Sequence, residues 1–297
     1  MVDSVQTLVP VPFRQRSLRD RVALLERAHL EEGAVLVRVD GSVARLQRLP
    51  MESECFGKSM GRVDAIIWRP DDAVALGQRV VTVACDSGVD HLSVRVPAAA
   101  AALIRALARV GFQYIESMVT LRRDLIRERR GAPPMLAGSK VEIGPILPGE
   151  IDALAEHTKS LYGDSRFFTD PGLETHAAQE FYARWFRNDC FGRAEAVLVA
   201  RLDAAPVGYV ACLLDRACGY AVIDLVGVLP AARGSGVGEA LMHAAIDRLA
   251  DAAPVCFVGT QAGNAAAQHV YQKTGFVLAD VDVTMHWSAM DVKEGTR

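Results

Sequence analysis

Residues 225–238 constrain the fold of this chain more than any other segment. They read L-V-G-V-L-P-A-A-R-G-S-G-V-G, a β-branched run that passes a proline and an arginine and enters a glycine-rich turn before an amphipathic helix. Such a turn gathers unpaired backbone N–H groups and the positive end of a helix dipole around one point, which makes an anion site. Because Gly234, Gly236 and Gly238 lack side chains, the backbone can approach the anion closely. The segment therefore predicts a strand, a turn and a helix that together bind a phosphate-bearing ligand.

The spacing of these glycines excludes two other kinds of phosphate loop. A P-loop needs a lysine followed by serine or threonine after its last glycine, and no lysine follows here. The dinucleotide-binding fingerprint needs G-x-G-x-x-G, whereas this chain has G-x-G-x-G. The pattern that remains is R-x-x-G-x-G, filled by Arg233, Gly236 and Gly238.

Hydrophobic periodicity and turn residues after residue 140 predict the order β-α-α-β-β-β-α-β-α-β. This order indicates a mixed α/β (α+β) fold, with a twisted sheet flanked by helices. The predicted strands are Lys140–Ile143, Ala196–Arg201, Val207–Leu214, Tyr220–Val228, Pro254–Gly259 and Val281–Trp287, and the helices are 148–162, Glu174–Asn188, Val237–Ala250 and Asn264–Thr274.

The front half repeats part of this pattern 164 residues earlier. We predict strands at Arg79–Ala84 and His91–Val96, then a helix over Pro97–Val110 that ends at Gly111, as the later helix ends at Gly275. No glycine-rich turn precedes the first copy. We therefore predict a degenerate front domain over 1–128, a Gly/Pro-rich linker over 129–139 and a functional domain over 140–297.

Composition excludes several classes of partner. The net charge of −3 and the dispersed Lys and Arg residues argue against nucleic-acid binding and against an anionic membrane surface. The chain shows no signal-peptide pattern and no apolar run long enough to span a membrane. The six cysteines form neither C-x-x-C nor a zinc-binding spacing with histidine, so we expect reduced thiols, a cytoplasmic protein and no metal.

Asn264, Ala267 and Tyr271 lie at helical spacing on one face of the predicted helix. With the R-x-x-G-x-G turn after its strand, this face resembles the GNAT superfamily of N-acetyltransferases. The resemblance implies a GNAT fold, acetyl-CoA as cosubstrate, and direct attack of an amine on the thioester. It implies cofactor binding by three backbone positions of the strand, by the turn and by one helix residue: Val226, Gly227, Val228, Arg233, Gly234, Ser235, Gly236, Val237, Gly238 and Asn264.

The same resemblance makes Tyr271 the general acid that protonates the leaving thiolate; a core aromatic is the alternative for this residue. Asp224 is the one acidic residue on the predicted strand Tyr220–Val228. It is either the base that deprotonates the substrate ammonium or a charge at the sheet edge. Gly227 would permit a β-bulge or a close approach of another group.

The acceptor is indicated by S-R-F-F-T-D-P at 165–171. Arg166 offers a fork of donors suited to a phosphate, and Phe167 offers a ring that could stack on a base; a loop with aromatic anchors is the alternative. This segment, V-G-T-Q at 258–261 and S-E-C-F-G at 53–57 are similar to the TDP-fucosamine acetyltransferases. That resemblance implies a TDP-linked 4-amino-dideoxysugar as acceptor, for surface-polysaccharide synthesis. GNAT proteins often form homodimers, which makes a dimer an expectation here.

Two other functions remain open. One is N-acetylation of another small amine or a peptide, for which Arg166 would be dispensable. The other is a catalytically idle acetyl-CoA sensor, which would bind CoA and transfer no acetyl group.

Overall fold

The computed structural model describes residues 6–8, 34–125 and 141–289. The chain divides into two compact units, and the predicted linker 129–139 lies outside the described residues. Unit 1 comprises Met1–Met118, Arg166–Glu174 and Asp280–Arg297, and unit 2 comprises Val119–Ser165 and Thr175–Ala279. The domain limits expected from the sequence stay predictions.

The described strands are β1 Gln6–Leu8, β2 Ala34–Val39, β3 Ser42–Arg48, β4 Met60–Trp68, β5 His91–Pro97, β6 Gln113–Asp124, β7 Val141–Pro145, β8 Ala196–Leu202, β9 Ala205–Asp215, β10 Tyr220–Val228, β11 Val255–Gln261 and β12 Val277–Ser288. The described helices are α1 Pro50–Phe56, α2 Ala73–Asp86, α3 Ala101–Arg109, α4 Ile151–Thr158, α5 Arg166–Thr169, α6 Thr175–Asn188, α7 Val237–Leu249 and α8 Ala265–Lys273. The mixed α/β fold expected from the sequence is confirmed.

The sheet of unit 2 places β10 at its centre. Strands β7, β8, β9 and β10 pair antiparallel in that order, and β10 pairs in parallel with β11. Alternate residues of β10 are buried, among them Ala221, Ile223 and Leu225, as expected of a strand with one face against a core. Helix α7 packs an apolar stripe against β9 and β10.

Unit 1 contains the earlier copy of the same elements. Strands β2, β3 and β4 pair antiparallel, β4 pairs in parallel with β5, and β5 pairs antiparallel with Asp282–Ser288 of β12. The buried core around them includes Trp68, Leu76, Leu92, Leu103 and Trp287.

The strand predicted over Arg79–Ala84 is wrong, because these residues lie inside α2. The β-branched run 80–83 is typical of a strand. However, the buried residues of α2 recur at helical spacing, at Ala73, Leu76, Gly77, Val80 and Ala84. Burial of this stripe outweighs the weak β-propensity of the run.

The internal repeat is visible in the element bounds. Helices α2 and α3 and strands β5 and β6 each begin 164 residues before α7, α8, β11 and β12, respectively. The segment Arg79–Ala84 thus corresponds to residues within α7, so the repeat itself indicated a helix there.

Candidate active site

Strands β10 and β11 are paired over only part of their length. Their parallel pairing joins Ala221–Ile223 to Cys256–Val258. Beyond Ile223, the rest of β10 pairs with β9 on its other side. The register with β9 shifts between Ile223 and Leu225, so Asp224 sits at a β-bulge. The second half of β10 therefore turns a row of backbone groups toward the side where β11 has separated from it.

The glycine-rich turn follows directly at the end of β10. Gly234 and Gly236 have φ of 76° and 82°, a conformation that favours glycine. Gly236 is the N-cap of α7, and no described side chain caps that helix end. Arg233, Gly234 and Ser235 are exposed, while the side chain of Val237 is buried. The turn thus offers uncapped N–H groups and an exposed guanidinium, which fit a diphosphate.

Two residues of the turn also bond to the main chain nearby. The Nε of Arg233 donates to the carbonyl of Val228 at 3.2 Å, and the Oγ of Ser235 donates to the carbonyl of Ala232 at 2.7 Å. These bonds tie the turn to the end of β10.

Helix α8 lies beside the start of α7. A Cβ added at Gly238 would meet both methyl groups of Val270 at 3.9 Å. At the N-terminus of α8, Asn264 accepts a hydrogen bond from the backbone N–H of Ala267 at 3.1 Å, so its side chain caps the helix. The expected contact of Asn264 with the cosubstrate stays a prediction.

Tyr271 is buried in α8, one residue after Val270. Its ring centroid lies 6.3 Å from that of Phe276. Burial raises the pKa of Tyr271, so the phenol keeps its proton at neutral pH. Its assignment as an acid stays a prediction.

Gly227 makes a close approach, and the bulge lies elsewhere, at Asp224. A Cβ at Gly227 would lie 2.7 Å from Leu161 and 3.1 Å from the ring of Tyr209. The hydroxyl of Tyr209 is 3.0 Å from that of Tyr162 and 2.9 Å from that of Thr158. A side chain at position 227 would therefore require Leu161 to move and the ring of Tyr209 to shift.

An aromatic row in unit 2 leads from Tyr162 to the bulge. Tyr162 stacks on Tyr182 at 4.6 Å, and Tyr182 is stacked with Trp185 at 5.8 Å between centroids. The indole N–H of Trp185 then donates to Oδ2 of Asp224 at 2.6 Å. The row places an aromatic surface beside the candidate base.

Two charged residues at this point were not predicted from the sequence. Asp189 and Arg193 are the first and last residues of a turn that follows α6 directly and has non-helical backbone at Phe191 and Gly192. Arg193 donates hydrogen bonds to both Asp189 and Asp224. No local spacing in the sequence connects these two residues with Asp224, which lies 31 residues from Arg193.

The segment expected to bind the acceptor lies in unit 1. Phe167 is buried and stacks on Phe56 at 5.4 Å, and the guanidinium of Arg166 lies over the Phe167 ring at 4.5 Å. The backbone N–H of Arg166 donates to Glu116. The substrate roles of Arg166 and Phe167 stay predictions.

Asp170 of the same segment meets two histidines that the sequence analysis did not connect with it. Its Oδ2 lies 2.9 Å from Nε2 of His91 and 2.6 Å from Nδ1 of His286, and all three residues are buried. Hydrogen bonds from the histidines lower the pKa of Asp170 against the effect of its burial. Two histidines and a carboxylate are also a donor set that metals use, and the expectation of no metal stays a prediction.

In the earlier copy, the strand edge that corresponds to the open edge of β10 is paired with another strand. In unit 1, β4 pairs with β5 at Met60–Val63, and Ile66–Trp68 pairs instead with β1. In unit 1, β1 thus covers the edge of β4 that corresponds to the open edge of β10 in unit 2.

Comparison with known proteins agrees with this geometry. Residues 151–276 match the acetyltransferase (GNAT) family model. The chain is 30% identical over 155 residues to the spore coat polysaccharide biosynthesis protein SpsD of Bacillus subtilis, which covers 51% of this chain and 53% of that protein. It is 29% identical over 185 residues to a mycothiol acetyltransferase of Streptomyces griseus, which covers 60% of this chain and 56% of that one. The chain therefore spans about half the length of these curated relatives.

Solved structures show the same fold across nearly the whole chain. A GCN5-related N-acetyltransferase from Sphaerobacter thermophilus matches with a TM-score of 0.61 at 16% identity, over 96% of both chains. A tandem GNAT protein from the clavulanic acid biosynthesis pathway matches with a TM-score of 0.58 at 16% identity, over 96% of this chain and 98% of that one. Within the described part of the chain, no helix is both long and apolar enough to span a bilayer.

Proposed function

We propose, from the premise that residues 151–276 form an acetyltransferase domain of the GNAT family, that this domain acetylates the primary amine of a nucleotide-linked amino sugar. GNAT acetyltransferases use acetyl-CoA as the acetyl donor. The observation that carries the proposal is the separation of β10 from β11 beyond Ile223, next to a glycine turn whose helix start has no side-chain cap. That arrangement offers an open strand edge for the amides of the pantetheine arm and an anion site for the diphosphate.

In the proposed reaction, the neutral amine nitrogen attacks the thioester carbonyl. A C–N bond forms, the C–S bond breaks, and backbone N–H groups of Val226 to Val228 stabilise the charge on the carbonyl oxygen. The sulfur leaves as a thiolate and takes a proton from Tyr271. The pKa of a thiol is about 8.5, and burial raises the pKa of the Tyr271 phenol above its ordinary value. The phenol therefore still carries its proton when the thiolate forms. Asp224 accepts the proton of the substrate ammonium, directly or through water.

The sugar acceptor is supported by the similarity to SpsD, whose name places that protein in spore coat polysaccharide biosynthesis. The similarity to a mycothiol acetyltransferase favours a second candidate, another small amine without a nucleotide. We also place the enzyme in the cytoplasm, because none of its six cysteines, all within the described ranges, forms a disulfide. Homodimer formation stays a prediction.

A CoA-release assay across four classes of amine separates these functions: TDP-linked amino sugars, UDP-linked amino sugars, amino acids and polyamines. We expect the highest kcat/KM with a TDP-linked 4-amino-4,6-dideoxyhexose. Faster release with an amine that carries no nucleotide would replace the sugar by the second candidate. CoA binding without release for any amine would identify an idle sensor.

A further inference from the structure

Three charged residues of unit 2 meet at the bulge of β10. The Nη1 atom of Arg193 donates both to Oδ1 of Asp189 and to Oδ2 of Asp224. The indole N–H of Trp185 adds a second donor to the same Oδ2. One guanidinium thus serves two carboxylates, which leaves the cluster one negative charge in excess if both are ionised.

The excess negative charge is least favourable on Asp189. Its side chain is only 1% exposed, and its Oδ2 has no hydrogen-bond partner among the described residues. Burial, and next the negative charge of Asp224, raise the pKa of Asp189 to about 7. Two carboxylates that accept from the same guanidinium nitrogen do not both ionise easily, because a proton held between them converts repulsion into a hydrogen bond.

Three titratable groups packed around Asp189 carry no charge near neutral pH. Burial raises the pKa of the Cys190 and Cys212 thiols to about 12 and also raises that of the Tyr209 phenol, so all three are neutral near pH ~7. The charged groups near the turn also include Arg187 of α6, Arg248 of α7 and Glu195, which forms an ion pair with Arg248 at 3.1 Å.

We propose that Asp189 and Asp224 share one proton and that this pair takes up the proton released by the acceptor's ammonium. Asp224 is the residue that meets the substrate, because it lies at the bulge where β10 leaves β11 and its side chain is 12% exposed. Asp189 acts through Asp224 as a positioning residue. The proposal rests on the proposed function, since it assigns the proton acceptor of that same reaction.

The proton balance is as follows. The ammonium loses one proton to the ionised pair, and the resulting amine forms the C–N bond as the C–S bond breaks. The nitrogen's surplus proton restores the proton that Tyr271 gives to sulfur. The pair then releases its proton to solvent, so one proton leaves per amide formed.

A titration of the full-length protein labelled with ¹³C at the aspartate carboxyl carbons tests the shared proton without any substrate. We expect an aspartate resonance that titrates near neutral pH and disappears in both Asp189→Asn and Asp224→Asn. The control Asp247→Asn removes an exposed carboxylate of α7 and should leave it unchanged. If no aspartate resonance titrates near neutral pH, the shared proton is refuted.

The pH dependence of kcat tests its use in catalysis, with the fastest amine from the CoA-release panel. Asp189→Asn removes the carboxyl group with the raised pKa, so the pair no longer takes up a proton near neutral pH. We expect kcat to fall by about tenfold, its acidic limb to shift to lower pH, and KM for acetyl-CoA to stay unchanged. An unchanged pH profile would overturn the catalytic role. If no amine reacts, the proposed function fails first, and the carboxyl titration alone decides on the shared proton.

Discussion

Gly238 at the start of α7 lies beside Val270 of the helix that carries Tyr271: a Cβ added at Gly238 would be 3.9 Å from both Val270 methyl groups. The predicted diphosphate site and the predicted acid therefore lie on neighbouring helices, α7 and α8. The geometry of the turn, rather than a side chain, makes the anion site, since no described side chain caps α7.

Replacing Gly236 with valine should therefore abolish CoA binding. Gly236 has a φ of 82°, which a β-branched residue adopts only with strain, so the turn must rearrange and its N–H groups lose their common direction. Isothermal titration calorimetry with CoA measures the effect. Gly219→Val is the matched control, because Gly219 has a φ of 72° and open space around it in the β9–β10 turn. Equal loss of affinity in both variants would show that strain, not the site, is responsible.

The full chain should bind one CoA. In unit 1, β1 pairs with Ile66–Trp68 and covers the strand edge that corresponds to the open edge of β10. The same calorimetric titration gives the stoichiometry, which we expect to be one per chain. Two sites of comparable affinity would mean that the earlier copy also binds CoA and that β1 does not block it.

In Asp189→Asn, which lacks the opposing proton uptake of Asp189, stability should fall between about pH 7 and about pH 5, because His286 resists protonation in the folded state. Burial lowers the pKa of His286 from 6.5 to about 4, although its hydrogen bond to Asp170 opposes this. The unfolded chain therefore binds a proton over this range while the folded chain does not, so acid favours unfolding. The loss is about 2 kcal/mol.

Urea denaturation at the two pH values checks this estimate. Added to Asp189→Asn, the change His286→Asn retains a donor for Asp170 and does not titrate, so the stability of the double variant should change less with pH than that of Asp189→Asn. A stability of Asp189→Asn that is equal at both values would contradict the buried neutral histidine.

The sequence predicted those parts of the fold and site that depend on local patterns. Strand Tyr220–Val228 has the bounds that alternation and flanking turn residues indicate, and Gly275 ends its helix with a φ of 82°. The prediction of a strand at Arg79–Ala84 was wrong because it rested on the β-branched run and not on the apolar residues at helical spacing around it.

Clusters assembled from distant segments could not be predicted in this way. Asp170 lies 79 residues from His91 and 116 from His286, and Asp224 lies 31 from Arg193. No local spacing connects such residues, and only the fold brings them together.

The most direct test of the account is the steady-state rate of CoA release by Tyr271→Phe with the preferred amine. The change removes one hydroxyl from a buried ring and leaves the glycine turn intact. We expect kcat to fall by about 10²-fold or more while the affinity for acetyl-CoA stays the same, and Tyr114→Phe, at a 61% exposed tyrosine, to change neither. A Tyr271→Phe enzyme with the wild-type kcat would contradict the role of Tyr271 as the acid that protonates the leaving thiolate.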